Sequence, residues 1–138
     1  MNDMTAAVAL EQYKKLPMYM KKRAAVHKFY DDNLKDLTWL DLPVPVAKDC
    51  TTSYYFYHVQ IKNGKRDQFA KFLKDHDIYT TYRYFPLHRV RGYHVSGNFP
   101  NADYAADNTL CLPIHQSLSE GDLAYIVEII HKFGQLYC

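Results

Sequence analysis

The sequence predicts an α+β domain built on a small, mainly antiparallel sheet covered by helices. Three observations carry that expectation. Helix-forming residues fill most of 3–36; alternating apolar runs at 54–61 and 78–85 flank a segment with helical spacing; and a capped apolar helix closes the chain. The 138 residues have the length of a single domain, expected as a helical N-terminal segment (3–36) and an α/β core (53–134).

Asn2 or Asp3 can cap the first helix by accepting a backbone N–H bond, and Ala6, Ala7, Ala9, Leu10, Glu11 and Gln12 favour its propagation. Pro17 should end one helix near Lys15 and start a second, since proline is tolerated in a first turn. Met20, Ala24, His27 and Tyr30 share one side of that second helix, and Lys21, Lys22, Arg23 and Lys28 read as its solvated face. Pro43 and Pro45 make residues 38–52 a connector. Tyr54–Ile61 reads as a strand with Tyr55, Tyr57, Val59 and Ile61 on one face, followed by a turn at Asn63-Gly64. Phe69, Phe72, Leu73 and His76 mark a helix over 65–76. Ile78–Phe85 reads as a second strand stopped by Pro86, and residues 86–100 as a long loop. A short helix over 102–109 and a short strand over 110–114 follow. Ser119 and Asp122 form a capping-box pattern for a helix running to Phe133, with Gly134 expected at its C-terminus.

Hydrophobic residues at 48% and charged residues at 23% argue against wholesale disorder. A net charge of +2 is too mild to advertise nucleic acid or an anionic membrane. No apolar run approaches the roughly 20 residues of a spanning helix, and Met1-Asn2-Asp3-Met4 lacks the basic start of a secretory leader. Cys50, Cys111 and Cys138 are odd in number and include no C-x-x-C pair, so no disulfide framework is expected. The expectation is a cytoplasmic protein. Thirteen tyrosines hint at half-buried faces and interfaces, because tyrosine joins an apolar body to a polar tip.

Chemistry concentrates in one stretch. The residues Tyr82-Arg83-Tyr84-Phe85-Pro86-Leu87-His88-Arg89-Val90-Arg91 join aromatics, three arginines and a histidine at a strand end. Guanidinium forks bind phosphates and carboxylates, and phenol rings stack on bases or sugars. On a strand, Arg83 and Tyr84 would point to opposite faces. The histidines His88, His94 and His115 match no zinc spacing, so no metal site is expected. Cys111 lies in an apolar run and reads as a small hydrophobe, so no catalytic residue is assigned to this chain.

Three blocks then carry a resemblance. Met1-Asn2-Asp3 with Ala6-Ala7 and Leu10-Glu11-Gln12, then Tyr84-Phe85-Pro86-Leu87-His88, then Phe99-Pro100-Asn101-Ala102 with Leu112-Pro113 and Asp122, appear in order. Together they resemble the last third of the DegT/DnrJ/EryC1/StrS sugar aminotransferases over about residues 1–133. The resemblance implies the C-terminal domain of the aspartate-aminotransferase fold (pyridoxal phosphate fold type I), acting in dimers with the active site between subunits. It implies transfer of an amino group from glutamate to a nucleotide-linked keto-deoxysugar, such as a TDP-4-keto-6-deoxyhexose. It places Tyr84 and His88 at the sugar-nucleotide cleft, with Arg83 a weaker candidate and Arg89 and Arg91 as phosphate contacts. In relatives the residue preceding Met1 can reach the partner's cofactor phosphate; in this chain the resemblance implies Asn2 as the candidate cofactor contact.

The departures matter as much. The large domain that holds pyridoxal phosphate as a Schiff base on a lysine has no counterpart in these residues, and no lysine here sits in that context. The expected partners are therefore a separate large-domain chain, a nucleotide sugar, and a second copy through the first helix. Pyridoxal phosphate is expected only in the completed enzyme, and none on the isolated chain. Two alternatives compete: an inactive remnant that only binds a partner or nucleotide sugar, and an aromatic-sheet nucleic-acid module using Tyr55, Tyr57, Tyr82 and Tyr84. The second lacks the aromatic-glycine string of RNA-recognition sheets.

Overall fold

A computed structural model describes all of residues 1–138. Helix α1 (Asp3–Leu34) opens it, capped by Asn2, whose Oδ1 accepts the Thr5 backbone N–H at 2.9 Å. The expected break at Pro17 does not occur, and the helix is continuous through it. An interior proline forfeits one backbone bond and crowds the preceding turn, costing about 3 kcal/mol. Here its neighbours Leu16 and Met18 stand in solvent, so no packed element opposes the local adjustment. Only the far half of α1 meets the core, through Val26, Tyr30 and Leu34 at i, i+4 and i+8.

Three short strands form an antiparallel sheet in the order β1-β2-β3. β1 (Leu40–Asp41) lies inside the stretch expected to be pure connector. Leu40 opposite Ile61 holds it there, and burial of Leu40 explains the pairing. β2 (Tyr57–Ile61) starts three residues later than expected, because Tyr54 takes a left-handed φ of 46° that cannot continue a strand. Its Tyr57, Val59 and Ile61 are fully buried as the alternation required, whereas Tyr55 is exposed. The turn at Asn63-Gly64 uses two left-handed residues, with φ of 61° and 67°. α2 (Arg66–Lys74) buries Phe69, Ala70 and Leu73.

The expected strand over 78–85 is not a strand. Its only sheet bonds are the Thr81–Cys111 pair, with Thr81 N–H donating at 3.2 Å and Cys111 N–H at 2.8 Å. Of its large residues only Ile78 is buried, while Tyr79, Tyr82, Tyr84 and Phe85 are exposed. Alternation that buries no face leaves nothing to fix a register. Two short 3₁₀ turns at Leu87–Arg89 and Arg91–Tyr93 occupy the long loop.

α3 (Pro100–Asn108) leads into β3 (Thr109–Leu112), which is buried throughout. α4 (Glu120–Tyr137) begins with the expected capping box and buries a stripe from Leu123 to Phe133. It runs on past Gly134, which is therefore not a helix end. A Cβ at Gly134 would sit 2.6 Å from Trp39 Nε1, so glycine is there for close approach of the indole. Around that contact Trp39, Phe69 and Phe133 pack with centroids 4.8 to 5.4 Å apart. Tyr30 ties α1 across the core, donating its hydroxyl to Pro113 O at 2.8 Å. No helix is long and apolar enough to cross a membrane.

Candidate functional site

The irregular path of residues 82–93 arranges the predicted site. Because 83 and 84 are not in a strand, they do not point to opposite faces. Arg83 Nη1 donates to Tyr55 Oη at 2.9 Å and to Tyr84 Oη at 3.2 Å. Its guanidinium also lies over both rings, 5.5 and 5.6 Å from their centroids. The Tyr84 and then the Tyr55 hydroxyl raise the Arg83 pKa above its ordinary value. Beside it, Arg66 lies over the Tyr82 ring at 4.8 Å and donates to Ala106 O. The result is an exposed surface of phenol rings and guanidinium planes. Such a surface suits a planar, anionic ligand.

His88 and Arg89 sit differently. His88 is largely enclosed, tilted against the Phe99 ring at 4.8 Å, with Nε2 2.9 Å from Asp103 Oδ1. Arg89 donates through Nε to Asp103 at 2.6 Å and through both terminal nitrogens to Asp107 at 2.8 and 2.9 Å. Both carboxyls are held below the usual carboxylate range, Asp103 chiefly by His88 and Asp107 chiefly by Arg89. Asp103 and Asp107 are one helical turn apart on α3, so they face the loop together. Arg91 is exposed on the second 3₁₀ turn and donates to no protein group. The structure thus brings Arg83 and Tyr84 together, holds His88 with Arg89, and leaves Arg91 to solvent.

Several participants escaped the sequence. Tyr55, expected on the same strand face as Tyr57, Val59 and Ile61, lies before β2 and turns outward to Arg83. Asp103 and Asp107 carry a usable signal, their i, i+4 spacing on the helix that follows the basic loop. Asn2 is engaged in capping: its Oδ1 accepts from both the Thr5 N–H and the Thr5 hydroxyl. No three His, Cys, Asp or Glu side chains are grouped to hold a metal ion. The four tyrosines of the nucleic-acid alternative do not share a face, because Tyr57 is fully buried against Tyr30 and His27 while the other three are exposed.

A concavity of about 780 Å³ lies between α1 and residues 42–58. His27 and His58 flank it, and burial lowers the pKa of both. Asp31 on its wall accepts from the buried Tyr57 hydroxyl at 2.7 Å, and burial is the main reason the Tyr57 phenol pKa is raised.

The α+β domain thus carries an arginine–tyrosine surface beside a clamped Pro-Leu-His turn. Residues 1–131 match the model of the DegT/DnrJ/EryC1/StrS aminotransferase family, and the chain belongs to that family. It is 37% identical over 131 residues to the dTDP-4-dehydro-2,3,6-trideoxy-D-glucose 4-aminotransferase of Saccharopolyspora spinosa, covering 95% of this chain and 34% of that protein. The crystal structure of the aminotransferase TlmJ from Streptoalloteichus hindustanus superposes with a TM-score of 0.93 at 38% identity, over 99% of this chain and 37% of that one. The fold also matches the pyridoxal-phosphate form of the sugar aminotransferase Spr1654 from Streptococcus pneumoniae, with a TM-score of 0.88 at 21% identity over 99% and 36% of the two chains. The chain therefore spans about a third of the length of these relatives.

These residues do not fit the anchoring of pyridoxal phosphate. A lysine that condenses with an aldehyde must shed its proton, which burial or a neighbouring cation promotes. Here both lysines lining the concavity beside α1, Lys28 and Lys35, are exposed, and a hydrogen bond to Asp32 raises the pKa of Lys28. Lys71 is raised in the same way by Asp75. The half-buried lysines Lys62 and Lys65 are spent on Asp41 and Tyr137 O.

Proposed function

We propose that these residues form the substrate-facing part of a pyridoxal-phosphate-dependent aminotransferase that aminates a nucleotide-linked keto-deoxysugar, with glutamate as the amino donor. The cofactor lysine is then supplied from outside the 138 residues, on the same or another polypeptide. The observation that carries this reading is the family match over 1–131, joined to 37% identity with a relative named for a dTDP-linked keto-deoxysugar. The geometry supports it: Arg83, Tyr84 and Tyr55 present flat faces and a positive charge to solvent, as binding of a nucleotide diphosphate requires. When bound in a whole enzyme, pyridoxal phosphate supplies the electron sink for the transfer. In this reading the chain's own residues bind and orient the sugar nucleotide. Tyr84 and His88 lie nearest the sugar, Arg83 and Arg91 are the anion contacts, and Asn2 lies toward the cofactor of a partner subunit.

Complementation tests it. The chain is mixed with the cofactor-binding portion of a relative, pyridoxal phosphate, glutamate and a dTDP-4-keto-deoxysugar, and the amino sugar is measured by mass spectrometry. Amino transfer that needs both components, and that falls with Tyr84→Phe combined with His88→Ala, supports the assignment. Unchanged affinity and rate in that double variant would overturn the site.

A further inference from the structure

We propose that Asp103 is a positioning residue: its carboxylate fixes the proton of neutral His88 on Nε2, and with Asp107 it withdraws Arg89 from ligand binding. The consequence for substrate rests on the reading of 82–93 as the substrate side; the placement of the proton does not.

An ionised carboxylate accepts hydrogen bonds and cannot donate them. Asp103 Oδ1 lies 2.9 Å from His88 Nε2, so in the neutral ring the proton must be on Nε2. The carboxyl is kept ionised by its two cationic or donating neighbours, His88 first and Arg89 next. The ring cannot swing to offer its other nitrogen, because Phe99 covers it at 4.8 Å with a tilt of 33° and only 16% of the side chain is exposed. Nδ1 is then the free nitrogen, an acceptor. His88 can take a hydrogen bond from a ligand hydroxyl or amine, and it cannot give one through Nε2.

The same carboxylate decides between the arginines. Arg89 Nε bonds Asp103, and both terminal nitrogens bond the two oxygens of Asp107. Its fork is filled and its charge is matched by two carboxylates. Arg91, two residues on, has no such partners and remains available to an anion. Arg89 therefore shapes the loop, and the ligand-facing positive charge falls to Arg83 and Arg91.

The test is long-range ¹H–¹⁵N spectroscopy of the imidazoles in the 138-residue chain, at alkaline pH and with no ligand or cofactor. The Nε2–H form of His88 is expected to exceed the Nδ1–H form by roughly ten to one, the bias a charge-assisted hydrogen bond sustains. Asp103→Ala should collapse that ratio toward the mixture of a free imidazole, Asp103→Glu should restore it, and Asp107→Asn should leave it alone. A wild-type His88 protonated on Nδ1, or an unchanged ratio in a folded Asp103→Ala chain, overturns the proposal. The wild-type spectrum decides the proton's place even where a variant fails to fold. None of these readouts depends on amino transfer, so failure here and failure of the aminotransferase reading are separate outcomes.

Discussion

Residues 3–18 and residues 19–34 belong to the same helix, yet only the second stretch is held by the rest of the molecule. The second half seals Val26, Tyr30 and Leu34 into the core and bonds Pro113 O through Tyr30. The first half leaves Met4, Val8, Leu10 and Tyr13 in water and is held by its Asn2 cap, its alanines and a Lys14–Glu11 pair. Most helical stability in proteins comes from packing an apolar face rather than from propensity, so the half that packs on nothing borrows its order from the packed half. On the proposed reading the difference separates a folding element from a docking element. An exposed apolar stretch on an otherwise polar helix marks an interaction site. On the proposed reading it meets the rest of the enzyme or a second copy of the chain.

The sharpest contrast is between two tyrosines. Tyr30→Ala removes a fully buried ring and should cost about 3–5 kcal/mol in urea denaturation. Tyr13→Ala, exposed in the bare half, should change stability by no more than about 0.5 kcal/mol. Equal effects would dissolve the comparison.

Self-association should follow the bare half. Sedimentation of the wild-type chain should show oligomers at high concentration, and Met4→Ser with Val8→Ser should weaken them by about tenfold, from lost apolar burial. A clean monomer in the wild type would count against a docking role.

The packed half also carries a pH signature. His27, wedged between Tyr54 and Tyr57, has its pKa lowered mainly by burial, and His58 likewise. The unfolded chain takes up protons at the ordinary value of 6.5, and the folded chain resists. This contribution is therefore present above pH 6.5 and is lost as the pH falls through the lowered values of the folded state. Denaturation midpoints should decline from pH 7 toward 5, and His27→Gln should flatten part of that decline. A His27→Gln chain with the wild-type slope would show that His27 is not the source.

The smallest effect lies at the cap. Asn2→Ala should cost about 1 kcal/mol of local helix stability. It should speed hydrogen exchange in residues 3–10 while leaving the global midpoint unchanged. A shifted midpoint would mean that the bare half is part of the cooperative core.

Local chemistry was legible in the sequence, and distant partners were not. The buried face of β2, the stripe of α2 and the capping box of α4 follow from spacing alone. Pro17 misled because solvent, not sequence, decides whether a helix tolerates it. Residues 78–85 alternate like a strand, but no second layer covers them, and that fact belongs to the rest of the fold. Gly134 reads as a helix end until Trp39, far away in sequence, is seen against it. The site divides in the same manner. Tyr84 and His88 stand out by their motif, whereas the Arg83–Tyr55 and Arg89–Asp107 partnerships join segments 28 and 18 residues apart.

The central proposal is that this chain faces substrate and does not itself anchor the cofactor. It is tested most directly by incubating the isolated chain with pyridoxal phosphate, reducing with borohydride and mapping the adducts by mass spectrometry. The account predicts only scattered, substoichiometric labelling of surface lysines, because none of the lysines is buried. Stoichiometric labelling of one lysine would contradict it.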